Sequence, residues 1–169
     1  SAGYMVDMRD KDSATYRTYV PFEVFAAVIR EIFAAFVEAN GSAYRARKVL
    51  EARGVRMPTL DECPVPEGYA VNYEHQRRIS LPSVKTIRDI VTNAFYAGHF
   101  IHKGKVIRWN NHIALVPADL FNKAFNLASP YALDGSPNEH YQGVRTHARP
   151  TLDEQRDAER PLLEGKVYV

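Results

Sequence analysis

Ser83-Val84-Lys85-Thr86-Ile87-Arg88-Asp89-Ile90-Val91-Thr92-Asn93-Ala94-Phe95-Tyr96-Ala97-Gly98 is the stretch that decides the fold. Val84, Ile87, Ile90 and Val91 recur at helical spacing and form one apolar stripe. Pro82 is placed to start this helix, with Ser80 or Ser83 as the cap, because a hydroxyl there can satisfy a free backbone N–H. Asn93 to Gly98 closes it. Ser83, Lys85, Thr86, Arg88, Asp89 and Thr92 fall on its open faces. A helix this short is stable only if neighbours cover its stripe.

Upstream, Phe22, Phe25, Ala26, Ile29, Ile32, Phe33, Phe36 and Val37 mark an amphipathic helix of about five turns, opened by Pro21. Asn40-Gly41 ends it, since Gly takes the left-handed C-cap without strain. Ser42 caps a second helix, Ala43 to Arg53, with Ala46, Val49 and Leu50 inward and Arg45, Arg47, Lys48 and Arg53 on its other faces. Ahead of both, Gly3 to Val6 and Tyr16 to Val20 read as two short strands, a ragged hairpin or extended arm. Prolines 58, 64 and 66 forbid a helix in the connection that follows, where Tyr69 to Tyr73 is a candidate strand.

Downstream, Phe100 to Trp109 reads as a β-hairpin turning at Lys103-Gly104, and Ile113 to Val116 as a third strand. Pro117 opens a helix through Ala128, with Leu120, Phe121, Ala124, Phe125 and Leu127 mostly inward. Residues 129–149 are loop-like, and Leu152 to Arg160 is a candidate charged helix. The expected fold is α+β and mainly helical: a three-helix, helix-turn-helix-like core with a small β-hairpin or sheet and a C-terminal helix. Residues 1–128 form one domain, and 129–169 a loop and short helix beyond it.

The net charge of +2 is unevenly spread. Residues 45–108 carry twelve Lys/Arg against six Asp/Glu, a net of +6, while residues 1–44 and 109–169 are each at −2. Phosphate-binding surfaces need such local concentration, although a solvated basic face has the same look. No apolar run approaches the length of a membrane span, and no secretory signal pattern is present. Ser1 is not an initiator Met, so a processed or trimmed N-terminus is expected. Cys63 is the one cysteine, which rules out an internal disulfide or a cysteine-built zinc site and fits a cytoplasmic protein.

Catalytic motifs are missing: no G-x-S-x-G, Walker loop, H-E-x-x-H or dinucleotide-binding glycine turn is found. Cys63 has no indicated base and reads as an ordinary thiol. His99, His102 and His112 read as surface or phosphate-contacting residues rather than metal ligands. No catalytic residue, metal or cofactor is assigned. The pattern that remains is a helix thin enough for a major groove, presenting Ser83, Lys85, Thr86 and Arg88 near its N-terminal end.

Several segments, in order, resemble one family. Val28-Ile29-Arg30-Glu31-Ile32-Phe33 resembles the "V-R-x-I-F" helix of the recombinase domain in large serine recombinases and integrases. Gly41-Ser42 with Ala46 to Val55 is similar to its "G-x-S, I-A-x-x-L-N-x-x-G-I" stretch. Ser83 to Gly98 resembles its "W-S-x-x-T-V-x-x-I-L-x-N-P-x-Y-x-G" signature, with Leu81 in the place of the Trp and Ala94 in that of the Pro. Ala114 to Phe121 is similar to "I-V-x-x-E-L-F", and Leu162-Leu163-Glu164-Gly165 to the "L-L-x-G" before the zinc ribbon. The insert at 56–80 is longer than usual.

The resemblance implies a DNA-binding segment of a site-specific serine recombinase, holding one half of a recombination site. The family's catalytic domain and zinc-ribbon cysteines are not in this sequence, so no catalysis is expected of the segment itself. Expected partners are double-stranded DNA and, through the other domains, further recombinase subunits; no membrane, cofactor or small-molecule substrate is expected. On this reading Lys85, Thr86 and Arg88 read bases and Ser83 holds a phosphate. Arg45, Arg47, Lys48, Arg77, Arg78, Lys103 and Lys105 position the duplex, and Arg145 and Arg149 track a groove or backbone. The competing reading is a protein-interaction or oligomerisation module with incidental basic charge; a small hydrolase is disfavoured by the missing motifs.

Overall fold

The computed structural model describes residues 1–71 and 81–143. Within them the fold is α+β, with mainly helical content and two small antiparallel sheets. Helix α1, Glu23–Glu38, is the hub, because seven of its residues are buried: Phe25, Ala26, Ile29, Ile32, Phe33, Ala35 and Phe36. Against it pack α2 (Ala43–Ala52), α3 (Val84–Val91) and α4 (Ala118–Ala128). Helix α3 also touches α2 and α4, so its stripe of Ile87, Ile90 and Val91 is covered on three sides. Val84 and Val49, expected inward, sit only partly buried at the edges of their stripes.

The ends of these helices follow local chemistry. Chain reversal after α1 uses two consecutive left-handed residues, Asn40 and Gly41, and the Gly41 N–H closes back on the Phe36 carbonyl at 3.0 Å. Ser42 then caps α2, its side chain accepting from the Arg45 N–H at 3.3 Å. Of the two serines expected as its cap, Ser83 caps α3. Pro82 lies one residue before the cap and is fully buried, so its role is packing rather than opening the helix. Pro21 likewise ends a strand, and α1 begins two residues later.

The N-terminal runs do pair. Strands β1 (Tyr4–Asp7) and β2 (Tyr19–Pro21) are antiparallel, with β3 (Tyr69–Ala70) on the other edge of β1. The second sheet is a hairpin of β4 (Phe100–His102) and β5 (Lys105–Arg108), joined by Lys103 and Gly104. Both turn residues have positive φ, +49° and +76°, as a two-residue turn matched to strand twist requires. Ile113 to Val116 does not add a third strand, contrary to the sequence reading. That segment instead runs back over a single 3-10 turn, Ala94–Ala97, where the Leu115 and Val116 N–H groups both donate to the Tyr96 carbonyl. Leu152 to Arg160 lies outside the described residues. No helix among the described residues is long and apolar enough to cross a membrane.

One buried charge ties the N-terminal sheet together. The Asp7 side chain is 1% exposed and accepts from Arg9 Nε (3.0 Å), Arg9 Nη2 (2.9 Å), the Arg9 N–H (3.0 Å) and Thr15 Oγ1 (2.7 Å). These donors, Arg9 foremost, hold its carboxyl far below the usual carboxylate range. Because the folded form binds its proton more weakly than the unfolded chain, the stabilisation is present above the unfolded value near ~4 and is lost as pH falls below it. Asp7→Asn should therefore lower the melting temperature at pH 7. The gap to the native chain should shrink steadily as melts are repeated from pH 5 downwards. A gap that stays constant with pH would mean that the carboxylate's charge is not what stabilises the sheet.

Candidate nucleic-acid interface

Helix α3 exposes a narrow polar strip because its apolar residues occupy the remaining arc. Lys85, Arg88 and Asp89 are exposed, and Thr86 and Thr92 are partly buried at the strip's borders. The N-cap Ser83 Oγ accepts from the Thr86 N–H at 3.1 Å and lies 2.9 Å from Thr86 Oγ1. Lys85 pairs with Asp89 one turn further on, and Thr92 Oγ1 donates to the Arg88 carbonyl at 2.8 Å. Arg88 has no side-chain hydrogen bond or ion pair among the described residues. Three of the four side chains expected to contact DNA on this helix are thus tied to the helix itself, and the guanidinium of Arg88 is the one left to the outside.

The hairpin brings two further cations towards the C-terminal end of α3. Lys103, Gly104 and Lys105 share an open groove of about 530 Å³ with Thr92 and Asn93. Phe125 and Tyr131 line the same groove, as does Asp134, whose carboxyl is held below its usual range by Ser136. This arrangement depends on the 3-10 turn between α3 and the hairpin. The Asn93 side chain caps the turn by accepting from the Phe95 N–H at 3.0 Å, and Gly98 ends it at φ +89°.

The cations of α2 are placed differently. Arg45 and Lys48 are exposed, Arg47 is partly buried, and the Lys48 ammonium lies 4.8 Å from the centre of the Tyr44 ring. Although α2 packs on α3, no hydrogen bond or ion pair among the described residues joins these cations to the α3 strip. Arg77, Arg78, Arg145 and Arg149 lie outside the described residues.

One histidine, His112, serves the interior rather than the surface, a correction to the sequence reading. His112 packs between Tyr4, Tyr19 and Phe95, with ring centroids 5.0, 5.4 and 4.2 Å away. Its Nε2–H donates to the Phe95 carbonyl at 2.8 Å, and burial pushes its pKa down. His99 Nδ1 accepts from the Asn110 N–H at 3.0 Å, and burial lowers its pKa as well. His102 is exposed. Among the described residues no three His, Cys, Asp or Glu side chains converge as metal ligands would.

Sequence patterns did not reveal the ties that fix this region to α1 and β1. Arg30 Nε donates to the Leu115 carbonyl at 2.8 Å while its Nη1 pairs with Glu23. Tyr4 Oη donates to the Ile113 carbonyl at 2.8 Å. Both are single long-range contacts without periodicity to announce them.

The Recombinase family model matches residues 23–129, which span α1 through α4 and the hairpin between. The chain belongs to the Recombinase family. Membership points to a role in site-specific recombination, with DNA and other recombinase subunits as the general class of partner. It also gives the α3 strip a context that composition could not. Comparison of this Recombinase chain with curated proteins and with solved structures returned no match.

Proposed function

We propose that this chain binds double-stranded DNA sequence-specifically at one half of a recombination site. The observation that carries the reading is the α3 strip: a well-packed helix presenting Lys85 and Arg88 to solvent, with Thr86 and Thr92 at its borders and Arg88 unpaired among the described residues. A helix of about 10–12 Å diameter fits the major groove, and side chains near its N-terminal end are the ones that reach base edges. Ser83, at the helix N-terminus, holds a phosphate there, because free N–H groups and the helix dipole favour an anion. Lys103 and Lys105 contact backbone at the other end of the strip, Arg45, Arg47 and Lys48 steer the duplex, and Arg77, Arg78, Arg145 and Arg149 extend the contact.

On this reading residues 1–128 form the DNA-binding unit, and 129–169 lead towards a zinc-ribbon domain. The parent recombinase attacks the DNA backbone through a serine in another domain, so this segment binds without cutting. Its compartment is the cytoplasm, and it uses no cofactor or small-molecule substrate.

Arg88→Ala is the direct test. Sites enriched from a random duplex library by the native chain should bind the variant more weakly by about 1–3 kcal/mol, with relaxed preference at one position. Unchanged affinity and unchanged preference would remove α3 from the groove.

A second reading is favoured by one observation. Ile107, Trp109 and Ile113 are 54%, 57% and 58% exposed, which suits a surface that meets another protein. A module of that kind would not bind a random duplex at low salt.

A further inference from the structure

We infer that Asp89 is a specificity-determining residue, restraining Lys85 on non-target DNA and accepting a hydrogen bond from a base-edge amino group on the target. This inference rests on the reading of α3 as a major-groove helix. Asp89 is the only acidic side chain among the described residues from 68 to 118, and it sits within the most basic part of the chain. It is 63% exposed, lies beside Arg88 on the open strip, and pairs with Lys85, which is 85% exposed.

Helix stability does not account for its position. Asp89 falls in the last turn of α3, where the helix dipole disfavours a carboxylate. The acid also follows the lysine by one turn, the weaker of the two orders for such a pair. What the pair does achieve is a charge arrangement. With Lys85 held to Asp89, the helix offers a backbone phosphate one cation fewer and adds a repelling anion.

In a major groove the same carboxylate finds a use. An ionised Asp has only acceptors, and the groove presents the N4 amino group of cytosine as a matching donor. When Asp89 is taken up by that group, Lys85 is released to a phosphate or to a guanine edge. Where the donor is missing, a buried carboxylate faces acceptors or phosphates and the complex is weakened. One exposed ion pair thereby converts base identity into affinity.

The test compares the whole chain with its Asp89→Ala variant on a random-sequence duplex and in a selection from a random library, with melting curves to confirm that both are folded. The variant should bind the random duplex roughly three- to tenfold more tightly, with a log–log salt slope steeper by about one phosphate contact. Its selected sites should lose a cytosine preference present in those of the native chain. Equal or weaker binding to the random duplex overturns the inference while leaving α3 as the DNA contact. So does tighter binding with an unchanged sequence preference. If the native chain binds no duplex at all, or if Arg88→Ala and Asp89→Ala both leave binding unchanged, the reading of α3 fails and this inference with it.

Discussion

Gly98→Ala should destabilise the chain by several kcal/mol, while the same substitution at Gly104 should cost far less. Both glycines have positive φ, +89° and +76°. A Cβ in that conformation costs about 1–2 kcal/mol wherever it occurs. At Gly104, in the hairpin turn, an added Cβ would meet nothing within 4 Å. At Gly98 it would lie 2.6 Å from the His112 carbonyl oxygen and 3.3 Å from the Ala114 backbone nitrogen. Those are main-chain atoms and cannot rotate away. The segment is also pinned: the Asn111 and His112 N–H groups donate to the Gly98 carbonyl at 2.8 and 3.2 Å, and Leu115 and Val116 hold to Tyr96.

Relieving the clash therefore moves either the loop over the core or the hairpin relative to α3. Overpacking of this kind adds roughly 1–3 kcal/mol to the conformational term. The total should lower the melting temperature by on the order of 10 °C for Gly98→Ala, against a few degrees for Gly104→Ala. Thermal melts of the two variants side by side isolate the clash, since conformational strain is common to both. Equal losses would mean that the close approach at Gly98 does not constrain the fold.

Much of this architecture was legible in the residues, for reasons that differ by element. Helix α3 was legible because Ile87, Ile90 and Val91 recur at the helical period and Ser83 stands where a cap must. The hairpin turn was legible because Gly104, between two β-prone runs, supplies one of the two positive-φ positions that its geometry needs; that Lys103 takes the other was not. Ile113 to Val116 was misread, because a short apolar run does not show which of its residues are covered or by what: Leu115 and Val116 are buried, while Ile113 is exposed. The Leu115 and Val116 N–H groups found the Tyr96 carbonyl instead of a strand edge. His112 was misread for a related reason: the aromatic cage around it comes from residues 4, 19 and 95, which sequence spacing does not bring together.

The candidate site was legible as a set of residues on one helix, not as a set of bonds. That Lys85 and Asp89 pair, and that Ser83 and Thr86 share a hydrogen bond, follows from spacings of four and three and could have been read from the chain. The shared groove of Lys103 and Lys105 with Thr92 and Asn93 could not, because it depends on the 3-10 turn that folds the hairpin back.

The largest effect expected of this chain is on DNA binding itself, through salt. Each phosphate neutralised by a lysine or arginine releases counterions, and log K falls with log salt by about 0.9 per contact. If Arg45, Arg47, Lys48, Lys103 and Lys105 each meet one phosphate, the slope is about −4.5, and affinity drops roughly 500-fold between 50 and 200 mM salt. On the proposed reading, base contacts from α3 would add preference between sequences without adding to that slope. The measurement is a titration of the whole chain into a random-sequence duplex across that salt range. Binding at low salt that weakens with a steep linear slope is the result predicted. No binding at 50 mM salt, or binding indifferent to salt, would contradict the claim that this recombinase segment is held to DNA by its basic central third.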